Sequence, residues 1–354
     1  MNPDYIEDSI SLLRAMIRIP SLSKEEKEVA DLIQESLDNW GYNTYREGNN
    51  TWVCSPNWNE NIPTILLDSH IDTVRPAKAW SMDPFGATEV DGKLIGLGSN
   101  DAGASVVSLL CAFRYLVQKF QPYNLIFCAS AEEEISGLNG VASVLKHFGP
   151  LSLAVVGEPT GMQMAIAEKG LMVLDCEAHG KLGHAARNEG ENAIYKALSD
   201  IQILQRLSLP GSSAVLGPVK ITVTQIEAGT QHNVVPDSCK FVADVRTNEL
   251  YTNEEVFRII ADSIDSEVNP RSFRLNSSGI SLDHPLVQRG IKMGLSPYGS
   301  PTTSDQAVIP CTSIKIGPGE SARSHTADEF ILLDEIRKGV ETYIQLLDQL
   351  QLQG

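Results

Sequence analysis

Residues 125–137, LIFCASAEEEISG, set an apolar run directly against three consecutive carboxylates, Glu132, Glu133 and Glu134. Leu125 to Ser130 is short and apolar, with β-branched and aromatic residues, the pattern of a strand buried on both faces. Three adjacent acids at the mouth of such a strand repel one another and resist desolvation. No basic residue stands beside them in the sequence. A chain with this stretch must fold so that counter-charge from elsewhere meets those carboxylates.

Similar arrangements recur along the chain. LLDSHIDTV ends an apolar run with His70 and Asp72, and VVGEPT ends another with Glu158. GLGSNDAGAS places Asp101 in a glycine-rich loop before an expected helix, and a late His325 stands in SARSHTADEF. In open α/β sheets, sites form where the carboxyl ends of strands meet loops. Two histidines and several carboxylates make a mixed nitrogen and oxygen set suited to Zn²⁺, Co²⁺ or Mn²⁺. Two ions sharing one carboxylate supply about +4 of charge, which makes the acid cluster electrostatically sensible. Each element alone has a plainer meaning. His-x-Asp can be a hydrogen-bonded pair, the glutamates a solvated first helical turn, the glycine-rich loop an N-cap, and GEPT a turn. All of them in this order, three on apolar strands, favour one shared site.

At 354 residues the chain exceeds the size at which one core keeps growing, so two domains are expected. Ile6, Ile10, Leu13 and Ile17 fall at helical spacing, a second helix is expected over 24–40, and a third over 102–120. Asp91-Gly92 predicts a hairpin turn. Near Lys169 the texture changes: LMVLDCEAHG, KITVTQIEAG and CKFVADVR read as half-apolar strands, with helices expected over 192–207 and 253–267. LNSSGISLDHP reads as a return linker. A helix over 284–294, a strand over 312–316 and a helix over 332–350 then resume the first texture. The expected fold is α/β, a mixed sheet flanked by helices on both faces, interrupted by an inserted α+β domain. The expected boundaries are 1–168, 169–276 and 277–354.

With 28 basic against 45 acidic residues, the net charge of −17 disfavours nucleic acid and anionic membranes as partners. No apolar stretch approaches the roughly 18 residues of a membrane span. The first twenty residues lack the basic-then-apolar pattern of a secretory signal. Six scattered cysteines, none in a C-x-x-C pair, argue against a disulfide framework and suit a reducing cytoplasm.

From SHIDTV to SHTADEF the motif order resembles the metal-dependent amidohydrolases that include acetylornithine deacetylase, succinyl-diaminopimelate desuccinylase, aminoacylase and related dipeptidases. That resemblance implies two metal ions, Zn²⁺ first and Co²⁺ second. It assigns His70, Asp101 and Glu158 to one ion and Asp101, Glu134 and His325 to the other, with Asp101 bridging. It makes Glu133 the general acid/base and gives Asp72 the role of orienting His70. The inserted unit corresponds to a lid or dimerisation domain. Within it, HGKLGHAARNEGENAI resembles the family's lid motif and places His184 where a partner subunit's histidine reaches the active site. Asn233 in HNVVPD and Arg246 in DVR match positions that hold the substrate carboxylate. A homodimer acting on a small N-acyl amino acid follows, with N-acetylornithine, and so arginine biosynthesis, as the leading expectation. N-acetyl-lysine, an N-succinyl amino acid or a dipeptide would fit the same core. The sequence departs from the family's Gly-Arg-Gly-x-x-Asp-x-Lys-Gly loop, reading Gly96-Leu97-Gly98-Ser99-Asn100-Asp101-Ala102-Gly103-Ala104. Glu168-Lys169-Gly170-Leu171 stands where diaminopimelate-type desuccinylases show Arg-Arg-Gly-Ser. A non-catalytic dimeric binding protein would show an eroded ligand or base, and none is missing. A co-catalytic aminopeptidase shares the metal core, but often lacks the short dimerising lid.

Overall fold

Thr64–His70 pairs in parallel with Asn124–Ser130 on one side and Leu153–Val156 on the other, and every residue of the three strands is buried. The computed structural model of the chain describes residues 3–352. Successive side chains of a strand point to opposite faces, so an apolar run covered on both faces needs two layers of partners. Ile65, Leu67, Phe127 and Val155 enter a core with the helices Pro3–Ile17, Ala104–Leu116 and Leu333–Leu347. Leu66, Ile126, Ala154 and Val156 meet Val141, Val144, Phe148 and Ile309 on the other face. Each fully buried Leu, Ile or Phe contributes about 1.5–3 kcal/mol relative to exposure, so both layers are needed.

The sheet is mixed. From one edge the order is Thr44–Glu47, Asn50–Cys54, Asn124–Ser130, Thr64–His70, Leu153–Val156, Ser313–Lys315 and Met164–Glu168. The inner strands, Ser313–Lys315 included, run parallel, and antiparallel pairs close the edges. Parallel neighbours bring their carboxyl ends to one edge: His70 stands opposite Ser130, and Asp68 opposite Val156. The loops that follow all three strands therefore emerge together.

By its internal contacts the chain divides into two units, Met1–Ile166 with Ile280–Tyr298 and Ser304–Gly354, and Ala167–Gly279 with Gly299–Thr303. The second unit has an antiparallel sheet ordered Lys220–Ala228, Ser238–Thr247, Gly170–His179 and Glu267–Pro270. Helices Ala193–Arg206 and Asn253–Ala261 pack on one sheet face, around Leu174, Phe241, Ala197 and Ile260. The alternating burial of Gly170–His179 leaves the other face to solvent, as its half-apolar sequence requires.

Some elements differ from expectation. The helix expected over 253–267 ends at Ala261. The buried Asp200 carboxylate accepts the Asp265 and Ser266 N–H groups, at 3.3 and 2.9 Å, which draws the chain out of the helix and into a strand. The second helix begins at Lys27 rather than Lys24, because Lys24 is left-handed (φ 75°) and its N–H donates to Glu26. The hairpin Thr44–Glu47/Asn50–Cys54 was not anticipated, although its two-residue Gly48-Asn49 turn, with Gly48 at φ 60°, is a hairpin signal. Within the expected linker, Ser278–Gly279 forms a short strand against Ala167 and Glu168.

Gly157, directly after Leu153–Val156, has no room for a side chain. An added Cβ would lie 2.7 Å from Leu109 Cδ1, 2.8 Å from Ser105 Cβ and 3.1 Å from Ser69 Cβ. Gly157→Ala is therefore expected to destabilise by about 1–3 kcal/mol through overpacking, read as a lower urea midpoint at unchanged m-value.

Candidate metal centre

His70 is the last residue of its strand and is almost fully buried, so its imidazole stands at the edge where the parallel strands end. Asp101 reaches the same place from a tight bend. Gly98 takes a left-handed φ of 73°, where an added Cβ would meet Thr73 Cγ2 at 2.6 Å, so the bend needs glycine. The Gly103 N–H closes it by donating to the Gly98 carbonyl at 3.0 Å, and the helix Ala104–Leu116 follows. After Asn124–Ser130 the chain turns through a left-handed Glu132 (φ 56°) into a short helical turn, Glu133–Ile135. Glu158 follows Gly157 at the end of the third strand.

Two triads result: His70, Asp101 and Glu158, and Asp101, Glu134 and His325, each with ligand atoms within 4.8 Å of one another. His70 Nε2 lies 3.2 Å from Asp101 Oδ1 and 3.7 Å from Glu158 Oε1. His325 Nε2 lies 3.0 Å from Glu134 Oε2 and 3.7 Å from Asp101 Oδ2. Asp101 thus turns one carboxylate oxygen to each histidine. Glu133 belongs to neither triad, though its Oε2 stands 3.9 Å from His70 Nε2.

Asp72 is fully buried, and its carboxylate accepts the Glu133 and Glu134 N–H groups at 3.0 and 3.1 Å and the Ser23 hydroxyl at 2.7 Å. The atom closest to His70 Nδ1 is the Asp72 carbonyl oxygen at 2.9 Å, with carboxylate Oδ1 at 3.5 Å. Its carboxylate therefore both holds the turn that presents the two glutamates and faces the ring of His70, and its carbonyl oxygen meets the same ring nitrogen.

The electrostatics are those of crowded acids in a poorly solvated edge. Burial is the largest influence on Glu158, and with Asp101 and Glu134 it pushes the carboxyl up to about 8, despite His70 and Lys315. Burial likewise raises Glu133 well above the usual carboxylate range; His70 offsets part of this, and Glu158, Asp305 and Glu134 add to it. Burial opposes a charge on His70, but Asp101, Asp72, Glu133 and Glu158 outweigh it and raise the imidazole well above its ordinary value. Asp101 moves the other way: burial pushes it up, yet His70, Ser324 and His325 hold it below the ordinary carboxylate value. Such a set, nitrogen and oxygen donors with carboxyls that lack compensating charge, fits divalent cations.

His184, Asn233 and Arg246 belong to the second unit. Gly183–His184 pairs with Val234–Val235, and the Ala185 N–H donates to the Asn233 carbonyl at 3.0 Å, so His184 and Asn233 are brought together there, both exposed. Arg246 forks onto Asp244 at 2.8 and 3.1 Å. The sequence reading missed other buried acids near the metal triads. Asp305 accepts the Ser130 hydroxyl at 2.9 Å, and Glu329 accepts N–H groups of the Asp101 bend. Nothing in the local sequence sets Glu329 apart from a surface acid, since its neighbours from Ser321 to Phe330 are exposed or half-buried. Cavity volume does not mark the place either: about 690 Å³ opens at the amino ends of the strands, beside Thr64, Asn124 and Ser152.

A model of the peptidase family M20/M25/M40 matches residues 66–349, and the chain belongs to that family. It is a metallohydrolase. Among its relatives is a succinyl-diaminopimelate desuccinylase of Wolbachia pipientis, 25% identical over 372 residues, covering 96% of this chain and 93% of the relative. An aminopeptidase of Bacillus cereus shares the fold with a TM-score of 0.76 at 19% identity, over 97% of this chain and 98% of that one. A dinuclear metal-binding peptidase of the M20 family from Bacillus subtilis does so with a TM-score of 0.73 at 18% identity, over 99% and 100% of the two chains. The six cysteines are free thiols, and among the described residues no helix is long and apolar enough to cross a membrane.

Zn²⁺ at about 100 times its Kd is expected to stabilise the metal-free protein by ~2.7 kcal/mol and raise its Tm. Asp101→Ala is expected to lose most of that increment, because both triads use the residue. A melting point indifferent to divalent ions would overturn the assignment of the triads.

Proposed function

We propose that the chain hydrolyses the linear amide of an N-acyl amino acid, with one divalent ion held by His70, Asp101 and Glu158 and a second by Asp101, Glu134 and His325. Asp101 is the observation that carries this, since its two oxygens lie 3.2 and 3.7 Å from the two histidines. Zn²⁺ is the first choice of ion and Co²⁺ the second. When bound, such ions supply Lewis acidity and acidify water.

Glu133 is the general acid/base. It stands beside the triads without belonging to either, its Oε2 3.9 Å from His70 Nε2, where a carboxylate can take and return a proton. It accepts the proton of the attacking water and delivers it to the leaving nitrogen, giving a free amine and a carboxylate. Asp72 holds Glu133 and Glu134 at the required orientation through their N–H groups. The second unit acts as lid and dimerisation domain of a cytoplasmic homodimer. His184 from the partner subunit donates to the oxyanion that forms at the scissile carbonyl. Asn233 and Arg246 hold the substrate carboxylate, Arg246 exchanging its fork on Asp244 for one on the ligand.

N-acetylornithine is the leading substrate, and the desuccinylase relatives make N-succinyl-diaminopimelate its main competitor. Comparing kcat/KM for acetylated and succinylated ornithine, lysine and diaminopimelate, together with dipeptides, decides between them. On the best of these, Glu133→Ala is expected to lower kcat by ~10²–10⁴ while metal content stays at the wild-type level. Normal turnover, or loss of metal, would remove the residue from this role. Mixing His184→Ala with Glu133→Ala chains, each inactive alone, is expected to restore activity once subunits exchange, since one hybrid site is then intact. Persistent inactivity despite proven exchange counts against a shared site.

A further inference from the structure

Asp101 can serve two triads only if the bend that carries it is held in one position, and Gly98 to Asp101 form no strand or regular helix that would hold it. The Ser99 N–H donates to the Gly96 carbonyl at 3.1 Å, and the N–H groups of Gly98, Asn100 and Asp101 point at a single side chain. Glu329 Oε1 accepts from Asn100 at 2.8 Å and from Asp101 at 2.9 Å, and Oε2 accepts from Gly98 at 3.2 Å. Glu329 is itself buried and tied down. Its carbonyl accepts the Gly96 N–H at 3.0 Å, continuing the antiparallel ladder in which Phe330–Leu332 pairs with Lys93–Ile95. The ladder fixes the register that puts this carboxyl under the bend.

The same short segment carries His325. Asp328, next to Glu329, accepts the N–H groups of Ser81 and Met82 at 2.9 and 3.2 Å and the Ser81 hydroxyl at 2.7 Å. Asn100 completes the link from the other side: its side chain donates to the Glu320 carbonyl at 3.2 Å and accepts the Glu320 N–H at 2.9 Å. The shared aspartate and the histidine of the second triad are thus set by one interlocked pair of segments.

We propose that Glu329 is a positioning residue for the metal centre, clamping the Gly98–Asp101 bend so that both oxygens of Asp101 face their triads. The inference rests on the metal assignment made above, and goes beyond it by naming a residue outside both triads on which both depend. It repeats the device by which Asp72 holds the Glu133–Glu134 turn. Burial, with the charge of Asp101, outweighs the N–H groups and leaves the Glu329 carboxyl pushed up to about 8. The clamp does not depend on where that balance falls, because it consists of oxygen acceptors facing three donors.

Two measurements on Glu329→Ala test it. In metal-free protein, hydrogen exchange at the Gly98, Asn100 and Asp101 amides is expected to speed up relative to the amides of Thr64–His70. In competition with a chromophoric chelator, Zn²⁺ affinity is expected to fall about 10–100-fold at both sites, the usual effect of losing a group that orients ligands. Glu329→Gln keeps one oxygen for the donors and is expected to fall between wild type and Glu329→Ala; it also serves if Glu329→Ala does not fold. Unchanged exchange at the three amides overturns the clamp. Faster exchange with wild-type Zn²⁺ affinity overturns the positioning role, leaving Glu329 a structural contact. Wild-type protein that binds no Zn²⁺ defeats the metal assignment, while the exchange experiment still decides the clamp.

Discussion

Like-charged carboxylates crowded at the buried edge of a sheet repel one another, and the surrounding structure is arranged around that repulsion. Asp101, Glu133, Glu134 and Glu158 stand within reach of two imidazoles, and burial removes the water that would screen them. The outcome differs from group to group. Asp101, between His70 and His325, stays below the ordinary carboxylate value, while Glu158 is pushed up to about 8. Divalent cations between the histidines would satisfy the whole set at once. Backbone N–H groups supply the other compensation, through the two acids that sit behind the triads, Asp72 and Glu329.

A site of this kind needs a scaffold that does not yield. Parallel strands align their ends, and cover on both faces makes them rigid. Glycines sit where close approach demands them: Gly157 against Leu109, Ser105 and Ser69, and Gly98 in a left-handed bend against Thr73. The bend is then fastened to the tail segment by side-chain contacts, and the tail segment is held in register by its ladder with Lys93–Ile95. The second unit is built on the opposite principle, with one sheet face covered by helices and the other left open.

Much of this was legible in the residues. LLDSH, LIFCAS and LAVV are too short and too continuously apolar to be amphipathic helices, so they announced strands buried on both faces. Their acidic or histidine-bearing ends announced a polar site at one sheet edge. The change to alternation at LMVLDCEAHG announced a one-sided sheet. What was not legible came from contacts distant in sequence. The helix after Asn253 stops where Asp200, some sixty residues earlier, captures the Asp265 and Ser266 N–H groups. The carboxylate of Asp72 stands 3.5 Å from the ring of His70, as its place in the sequence suggested, but that the same oxygens also accept the N–H groups of Glu133 and Glu134 was not legible. Glu329 was passed over because nothing local distinguishes it from a surface acid.

By itself, then, the amino-acid sequence determined which segments had to be buried, where charge had to gather, and the chemical kind of ligand that gathering could accept. Periodicity, hydrophobicity and the repulsion of adjacent acids are local properties, so they can be read along a chain. Only the tertiary structure decided which oxygen faces which histidine, and which buried acids hold the others in place. Those are matters of distances near 3 Å between residues as far apart as Asp101 and Glu329. Parallel pairing and the ladder between Lys93–Ile95 and Phe330–Leu332 create that proximity, and it exists only once the strands are in register.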